Sequence, residues 1–272
     1  MTRRWQDLTT EDFRTLAPDT VAVLPTAAIE QHGPHLPVSV DTTINEGLVA
    51  EARTHLGDAP VLILPTMCVG KSDEHINFPG TLALDWKTTT ELWCHVGRSV
   101  ARAGVRRLVI VNSHGGQVAL INVVARQLRI EAGLFVAAVH WPALWEGEGA
   151  LTEEEARHGI HGGLVETAVM LHLAPDLVKM EKAAYFRSWG ADLDAANDIV
   201  VPEGVMGFGW MSEDLNETGA LGDASQATSE FGAEIVANVG ARLAALIREV
   251  QGLDISRLDT PYAAAGFSRV AP

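Results

Sequence analysis

The sequence predicts an α/β fold, one three-layer domain around a mostly parallel sheet, and three observations carry that prediction. Short β-branched apolar runs recur at residues 20–25 (TVAVLP), 60–65 (PVLILP), 107–112 (RLVIVN) and 134–140 (LFVAAVH). Helical patterns separate them. No linker, repeat or composition break divides residues 1–272, so the whole length reads as a single domain. The runs are continuously apolar rather than alternating, as expected of parallel strands covered on both faces. Strand and helix in turn give the rhythm of an α/β domain.

In chain order, a helix is expected over residues 43–55, and a second over 85–103. In the second, Asp85 is the N-cap, Leu92, Val96 and Val100 form one buried stripe, and Gly104 is the C-cap. A third spans residues 117–132. Past Trp141 the rhythm loosens. Thr152 and Glu155 stand in capping-box spacing at the start of an acidic helical piece over 152–157, and a helix follows near 164–173. Residues 183–222, rich in Gly and Trp without clear periodicity, read as loops and short elements on the same domain; residues 225–250 form a last helix.

With 35 acidic against 20 basic residues the net charge is -15, which repels nucleic acid and anionic membranes and leaves a small-molecule substrate as the expected partner. The two cysteines, Cys68 and Cys94, are too few for a disulfide framework or a thiolate zinc site and fit a reducing compartment. The first residues lack the apolar stretch of a secretory signal, and no run approaches the ~18 apolar residues of a membrane span, so a cytoplasmic location is expected.

Ligands of open parallel sheets bind beyond the carboxyl ends of the strands. Here the first strand runs into Glu30, Gln31, His32 and His35 and then Asp41, the second into Lys71, Asp73, Glu74 and His75, the third into His114, Gly115 and Gly116, and the fourth into His140 and Trp141. His32, His35, His75, His114 and His140 are half of the chain's 10 histidines. Carboxylates mixed with imidazoles suit zinc, manganese or iron better than calcium. The plain alternative is that Glu30 and His32 make ordinary hydrogen bonds while Asp41 caps the helix from residue 43. Glu166, in the first turn after His161-Gly162-Gly163, has a similar pair of readings, metal ligand or helix-terminus carboxylate.

Together the run Glu30-Gln31-His32-Gly33-Pro34-His35-Leu36-Pro37 with Asp41, the stretch from Gly70 to Thr81 with His75, the run Asn112 to Gly116, and the run His161 to Thr167 resemble the creatininase family; a weaker match continues from Gly219 to Gly232. The resemblance implies one creatininase-like domain, a homo-oligomer that is a hexamer in the family, and a centre of two divalent ions. On this pattern Asp41 bridges the ions, Glu30 and His114 complete one site, and His32 the other. Creatininases proper take the last ligand from a Glu at the position of Gly116; relatives with the Gly-Gly form draw it from the residue matching Glu166, which is assigned here. His161 corresponds to a catalytic His that protonates the leaving group. His75, Gly115, Gly116, Trp141 and Arg157 are expected against the substrate, Arg157 standing where creatininases carry a Trp, which argues against creatinine.

The resulting expectation is a binuclear metal-dependent hydrolase opening a small cyclic amide by attack of a metal-bridging hydroxide. Two others stand beside it: a ring-opening C-C hydrolase of a cyclic polyhydroxy ketone such as a keto-inositol, and a non-catalytic metal- or sugar-binding module.

Overall fold

The computed structural model describes residues 2–197, 199–204 and 206–259. Residues 260–272, which the single-domain reading includes, lie outside the described residues. Five parallel strands build the sheet: β1 (Arg3–Arg4), β2 (Val21–Thr26), β3 (Val61–Ile63), β4 (Arg107–Asn112) and β5 (Phe135–His140), in the order β1-β3-β2-β4-β5. The helices are α1 (Thr10–Phe13), α2 (Val40–Leu56), α3 (Trp86–Arg102), α4 (Val118–Ala132), α5 (Glu153–His158), α6 (Leu164–Leu173), α7 (Trp189–Ala196), α8 (Ser212–Leu215) and α9 (Ser229–Gly252). A two-stranded antiparallel ribbon, β6 (Tyr185–Phe186) with β7 (Gly222–Asp223), lies in the irregular stretch.

The continuous apolar runs are explained by two cores. Alternate residues of β2 and β4 (Val21, Val23, Val109, Val111) pack with Leu243 and Ile247 of α9 and Ala52 of α2. Their neighbours (Ala22, Leu24, Leu108, Ile110) pack on the other face with Trp93 of α3 and Val124 and Leu128 of α4. Helices on both faces of one sheet make three layers. In register, Thr26 lies beside Asn112 and Asn112 beside His140, so β2, β4 and β5 deliver their loops level with one another.

Several local expectations shift. The two residues of β1, Arg3 and Arg4, carry no apolar pattern and were not legible as a strand. Asp85 does cap α3, accepting from the N-H groups of Lys87 and Thr88, but the buried stripe falls on Thr89, Trp93, Gly97 and Val100. Leu92 is exposed, because the bulkier Trp93 takes the core-facing position one residue along. Helix α2 starts three residues before its predicted start, with Ser39 at its N-cap, so Asp41 sits inside the first turn and does not cap it. Thr152 caps α5, yet the Glu155 carboxylate does not return to it: it accepts instead from the N-H groups of Leu164 and Asp223, 2.8 Å each. The last helix begins at Ser229, after a 3-10 turn at Ala224–Gln226 that the apolar pattern does not separate from it. Among the described residues no helix is long and apolar enough to cross a membrane.

Candidate metal centre

The level strand ends are locked by buried amides. Asn45, on α2, donates to the carbonyls of Thr26 and Val111, 2.9 Å each, tying the ends of β2 and β4 to the helix that carries Asp41. Asn112 donates to His114 O at 2.6 Å and accepts from Gln117 at 2.7 Å, which shapes the loop after β4. Ser113 donates to Asp41 O at 2.7 Å. Such contacts fix side chains beyond them in place before any ligand arrives.

Held this way, five acid and imidazole side chains from four segments converge. One ligand atom each from Glu30, Asp41 and His114 lie within 4.8 Å of one another, and so do atoms of His32, Asp41 and Glu166. Asp41 belongs to both groups and divides its oxygens: Oδ2 is 3.4 Å from His114 Nδ1, Oδ1 3.4 Å from His32 Nε2. Glu30 Oε1 stands 3.1 Å from His114 Nδ1, and Glu166 Oε2 3.8 Å from His32 Nε2. Glu30, His32, Asp41 and His114 are nearly inaccessible. Yet both oxygens of Glu30, Nε2 of His32 and Oδ2 of Asp41 make no hydrogen bond. Buried polar atoms without partners are costly, and here they face one another, as ligands around a cation do.

The ring orientations agree. His32 Nδ1 lies 3.1 Å from Glu30 O, His114 Nε2 2.7 Å from Lys71 O, and His161 Nε2 2.6 Å from Gln31 O. A backbone carbonyl only accepts, so each of these nitrogens carries the proton, leaving the opposite nitrogen's lone pair for the centre. A ligand His whose second nitrogen is held by a carbonyl is the common arrangement in metal sites.

The charges follow from crowding. Burial disfavours the cation of His32, but Glu166, Asp41 and Glu30 outweigh it and raise its pKa to about 9. His114 is likewise driven up against its burial by Glu30 and Asp41. Burial raises Glu30 to about 7 and pushes Glu166 upward, whereas Asp41, despite burial, is held down by His32 and His114. Without ions, a second proton on the inward nitrogen of His32 and of His114 thus balances the carboxylates, and bound cations would take its place. His161 goes the other way: burial and the nearby His32 push it well below its usual value.

Glu30, Asp41, His114 and Glu166 form the floor of a cavity of about 630 Å³, which the buried His32 does not itself line. His75, Gly115, Gly116 and Trp141 line it, together with Lys71, Glu74, Trp145, Ile160 and His161. His161 lies between the rings of His32 and His75, with centroids 4.1 and 4.2 Å away. Arg157 is the exception among the residues expected at the substrate. Its side chain is 59% exposed and pairs with Asp194 at 3.0 Å and Glu153 at 3.3 Å, because α5 turns it outward while Glu155 and Ala156 face inward.

Three features escaped the sequence reading. Phe208 and Trp210, from the irregular stretch, help close the cavity; only their aromatic character in a Gly-rich segment hinted at it. Glu155 anchors the start of α6, and so seats Glu166, across a distance no local pattern reveals. Glu74 accounts for Gly116. Its carboxylate lies 2.5 Å from Lys71 Nζ and 3.1 Å from His114 Nε2, and a Cβ on Gly116 would fall 1.5 Å from Glu74 Oε1. The room that a side chain at position 116 would need is already filled from the loop after β3.

Comparison with known proteins shows which family the chain resembles. The sequence profile of the Creatininase family, described as creatinine amidohydrolase, matches residues 6–247. The chain is 34% identical over 223 residues to the mycofactocin precursor peptide peptidase of Mycobacterium tuberculosis, covering 79% of each chain. It is 32% identical over 195 residues to the creatinine amidohydrolase of Pseudomonas putida, covering 65% of this chain and 74% of that one. Among solved structures, a manganese creatininase superposes with TM-score 0.74 at 26% identity, covering 93% of this chain and all (100%) of that one. A creatininase variant of Zn-Zn type gives 0.71 at 26%, covering 92% and 98%.

Proposed function

Since the chain belongs to the creatininase family of hydrolases, we propose that it is a binuclear metal-dependent amidohydrolase whose ions are held by Glu30, Asp41 and His114 on one side and His32, Asp41 and Glu166 on the other. The observation that carries this is the set of unpartnered buried atoms of Glu30, His32 and Asp41 facing one another, Glu30 and Asp41 at the cavity floor. Glu30 and His114 come from loops after neighbouring strands, Asp41 from the first turn of α2, and its two oxygens point to opposite sides as a bridging carboxylate's would.

Two divalent ions so placed, with zinc, manganese and iron all suited to His and carboxylate ligands, would lower the pKa of water towards neutrality and polarise a carbonyl. The chain's own residues supply the rest. His161 is neutral at rest with its Nδ1 lone pair 3.7 Å from Glu30 Oε1. It therefore begins as a base, taking the proton of the attacking water, and only then serves as the acid that delivers it to the leaving nitrogen. This refines the expected role, in which His161 acts as an acid only. The N-H groups of Gly115 and Gly116 border the same floor, where a tetrahedral oxyanion could be held.

The bond cleaved is read as an amide C-N bond, the chemistry shared by the peptidase and amidohydrolase relatives; C-C cleavage of a keto-inositol and non-catalytic binding are not favoured. The substrate reading extends from a small cyclic amide to the end of a short peptide. A cavity of about 630 Å³ walled by Trp141, Trp145, Ile160, Phe208 and Trp210 is of ordinary ligand-pocket size and exceeds what one five-membered ring fills. The test is elemental analysis of protein purified without chelator, followed by turnover of cyclic amides, short peptides and cyclic polyhydroxy ketones with detection of released amine. Up to two ions per chain and amine release are expected. A metal-free, fully folded protein, or turnover of the ketones alone, would overturn the reading.

A further inference from the structure

The side chain of Gln31 is buried in the centre yet has no part in the hydrolysis described so far. Two backbone groups fix which end of its amide is which. Oε1 accepts from Gly33 N-H at 2.8 Å, and Nε2 donates to Gly219 O at 3.0 Å. Gly219 is shaped for this contact: its φ is +74°, and a Cβ there would fall 2.4 Å from Gln31 Nε2. With one Nε2 hydrogen on Gly219, the second faces Nδ1 of His75 at 2.8 Å. An amide nitrogen only donates, so Nδ1 of His75 is bare and the ring's proton sits on Nε2.

That nitrogen points at the centre, 3.6 Å from Glu30 Oε1. The ring stacked on it is turned the opposite way. His161 Nε2 is 2.6 Å from the Gln31 carbonyl and 3.2 Å from the Gln31 amide nitrogen, so it donates to the carbonyl and shows its bare Nδ1 to the centre. One residue, through its side chain and its main chain, therefore sets two neighbouring imidazoles in opposed senses. Of the four rings within 4 Å of Glu30 Oε1, His75 turns an N-H inward and His161 a bare nitrogen, as His32 and His114 do once ions replace their second protons.

We propose that Gln31 is a positioning residue that holds His75 with its Nε2-H towards the substrate, making His75 the hydrogen-bond donor to the carbonyl oxygen under attack and leaving proton transfer to His161 alone. The inference rests on the metal-hydrolase reading. A donor aimed at developing oxyanion charge strengthens its bond mainly in the transition state, so its loss falls on kcat.

Two measurements test this. Imidazole nitrogen NMR on the unmodified, zinc-loaded protein should find His75 neutral, protonated on Nε2 and bare on Nδ1; a proton on Nδ1 overturns the proposal whatever the variants do. A double-mutant cycle then separates positioning from general support of the fold. Gln31→Met should lower kcat about 10- to 100-fold, the usual range for residues that orient active-site ligands, with KM nearly unchanged and both ions retained. His75→Phe should lower kcat about 10²- to 10³-fold, as removal of one oxyanion donor does. Adding Gln31→Met to His75→Phe should then cost less than about twofold, because there is no donor left to aim. If Gln31→Met costs as much in the His75→Phe protein as in the unmodified one, Gln31 does not act through His75. Metal content of the unmodified protein distinguishes this failure from failure of the hydrolase reading.

Discussion

The two halves of the proposed centre are built by different means. Glu30 and His114 follow strands β2 and β4, whose ends are paired at Thr26 and Asn112 and bound together by Asn45. Their positions are consequences of sheet register, one of the least deformable features of the fold. Glu166, by contrast, sits in the first turn of α6, which follows no strand, and its side chain is 16% exposed against 1% for Glu30. What seats that turn is the Glu155 carboxylate on the N-H groups of Leu164 and Asp223, with the N-H of Gly162 donating to Glu166 at 2.6 Å. A half set by the sheet should tolerate change around it; a half set by one buried carboxylate should not. Asp41 spans both.

The largest effect is therefore expected from Asp41→Ala. Removing a carboxylate shared by both halves should lose both ions and lower kcat/KM by more than the ~10³-fold of a single lost oxyanion donor. Metal analysis of the purified variant checks this, and loss of one ion only would break the symmetry on which the comparison rests.

Glu166→Gln separates the halves. One ion should be lost, the one near His32, while the other stays. Helix-terminus carboxylates contribute about 1 kcal/mol or less, so the melting temperature should move by no more than roughly 2–4 °C. Glu155→Gln, which touches no proposed ligand, should weaken the same ion about 10-fold in a chelator titration and spare the other. Equal weakening of both ions would mean that α6 is not the softer support.

The third expectation concerns pH. In the metal-free protein Glu30 is raised from 4.5 to about 7 and His32 from 6.5 to about 9. Groups whose folded pKa lies above the unfolded value stabilise at low pH, and that contribution disappears as pH rises through the folded pKa. Metal-free protein should thus lose stability between about pH 4.5 and 9 as Glu30 and then His32 give up their protons. Metal affinity should change in the opposite sense, because ions must displace those same protons. Thermal melts with and without added zinc across this range check both signs; a metal-free protein that becomes steadily more stable towards pH 9 would show that these groups do not control it.

How much of this could be read from the sequence follows the same division. Strands β2 to β5 and the proposed ligands Glu30, His32, Asp41 and His114 were legible because continuous apolar runs identify buried parallel strands, and the ends of such strands are where ligands collect. Glu166 was ambiguous because a carboxylate in a first helical turn is explained equally well by the helix itself. Gln31 and Glu155 were opaque: nothing in an amide or a carboxylate reports a partner far along the chain, at Gly219 or Asp223. Trp93 displaced Leu92 from the core because periodicity locates a stripe only to within a residue where bulky apolar side chains are adjacent.

Arg157 gives the smallest effect and the sharpest limit on reading substrate choice from aligned positions. It was expected to meet the substrate because it stands where creatininases carry a Trp. Its guanidinium instead pairs with Asp194 and Glu153 at the surface, and exposed pairs of this kind are worth about 0–1 kcal/mol. Specificity should reside instead in the walls that do face the cavity, Trp141 and Trp145 after β5 with Phe208 and Trp210 from the irregular stretch. Arg157→Ala should therefore leave kcat/KM within about twofold for every amide turned over, since an exposed ion pair has little energy to lose. Trp210→Ala should change the ranking of substrates, because it removes part of a wall the substrate touches. Comparing the two variants on one panel of cyclic amides and short peptides decides the matter: a rank order changed by Arg157→Ala and unmoved by Trp210→Ala would return specificity to α5.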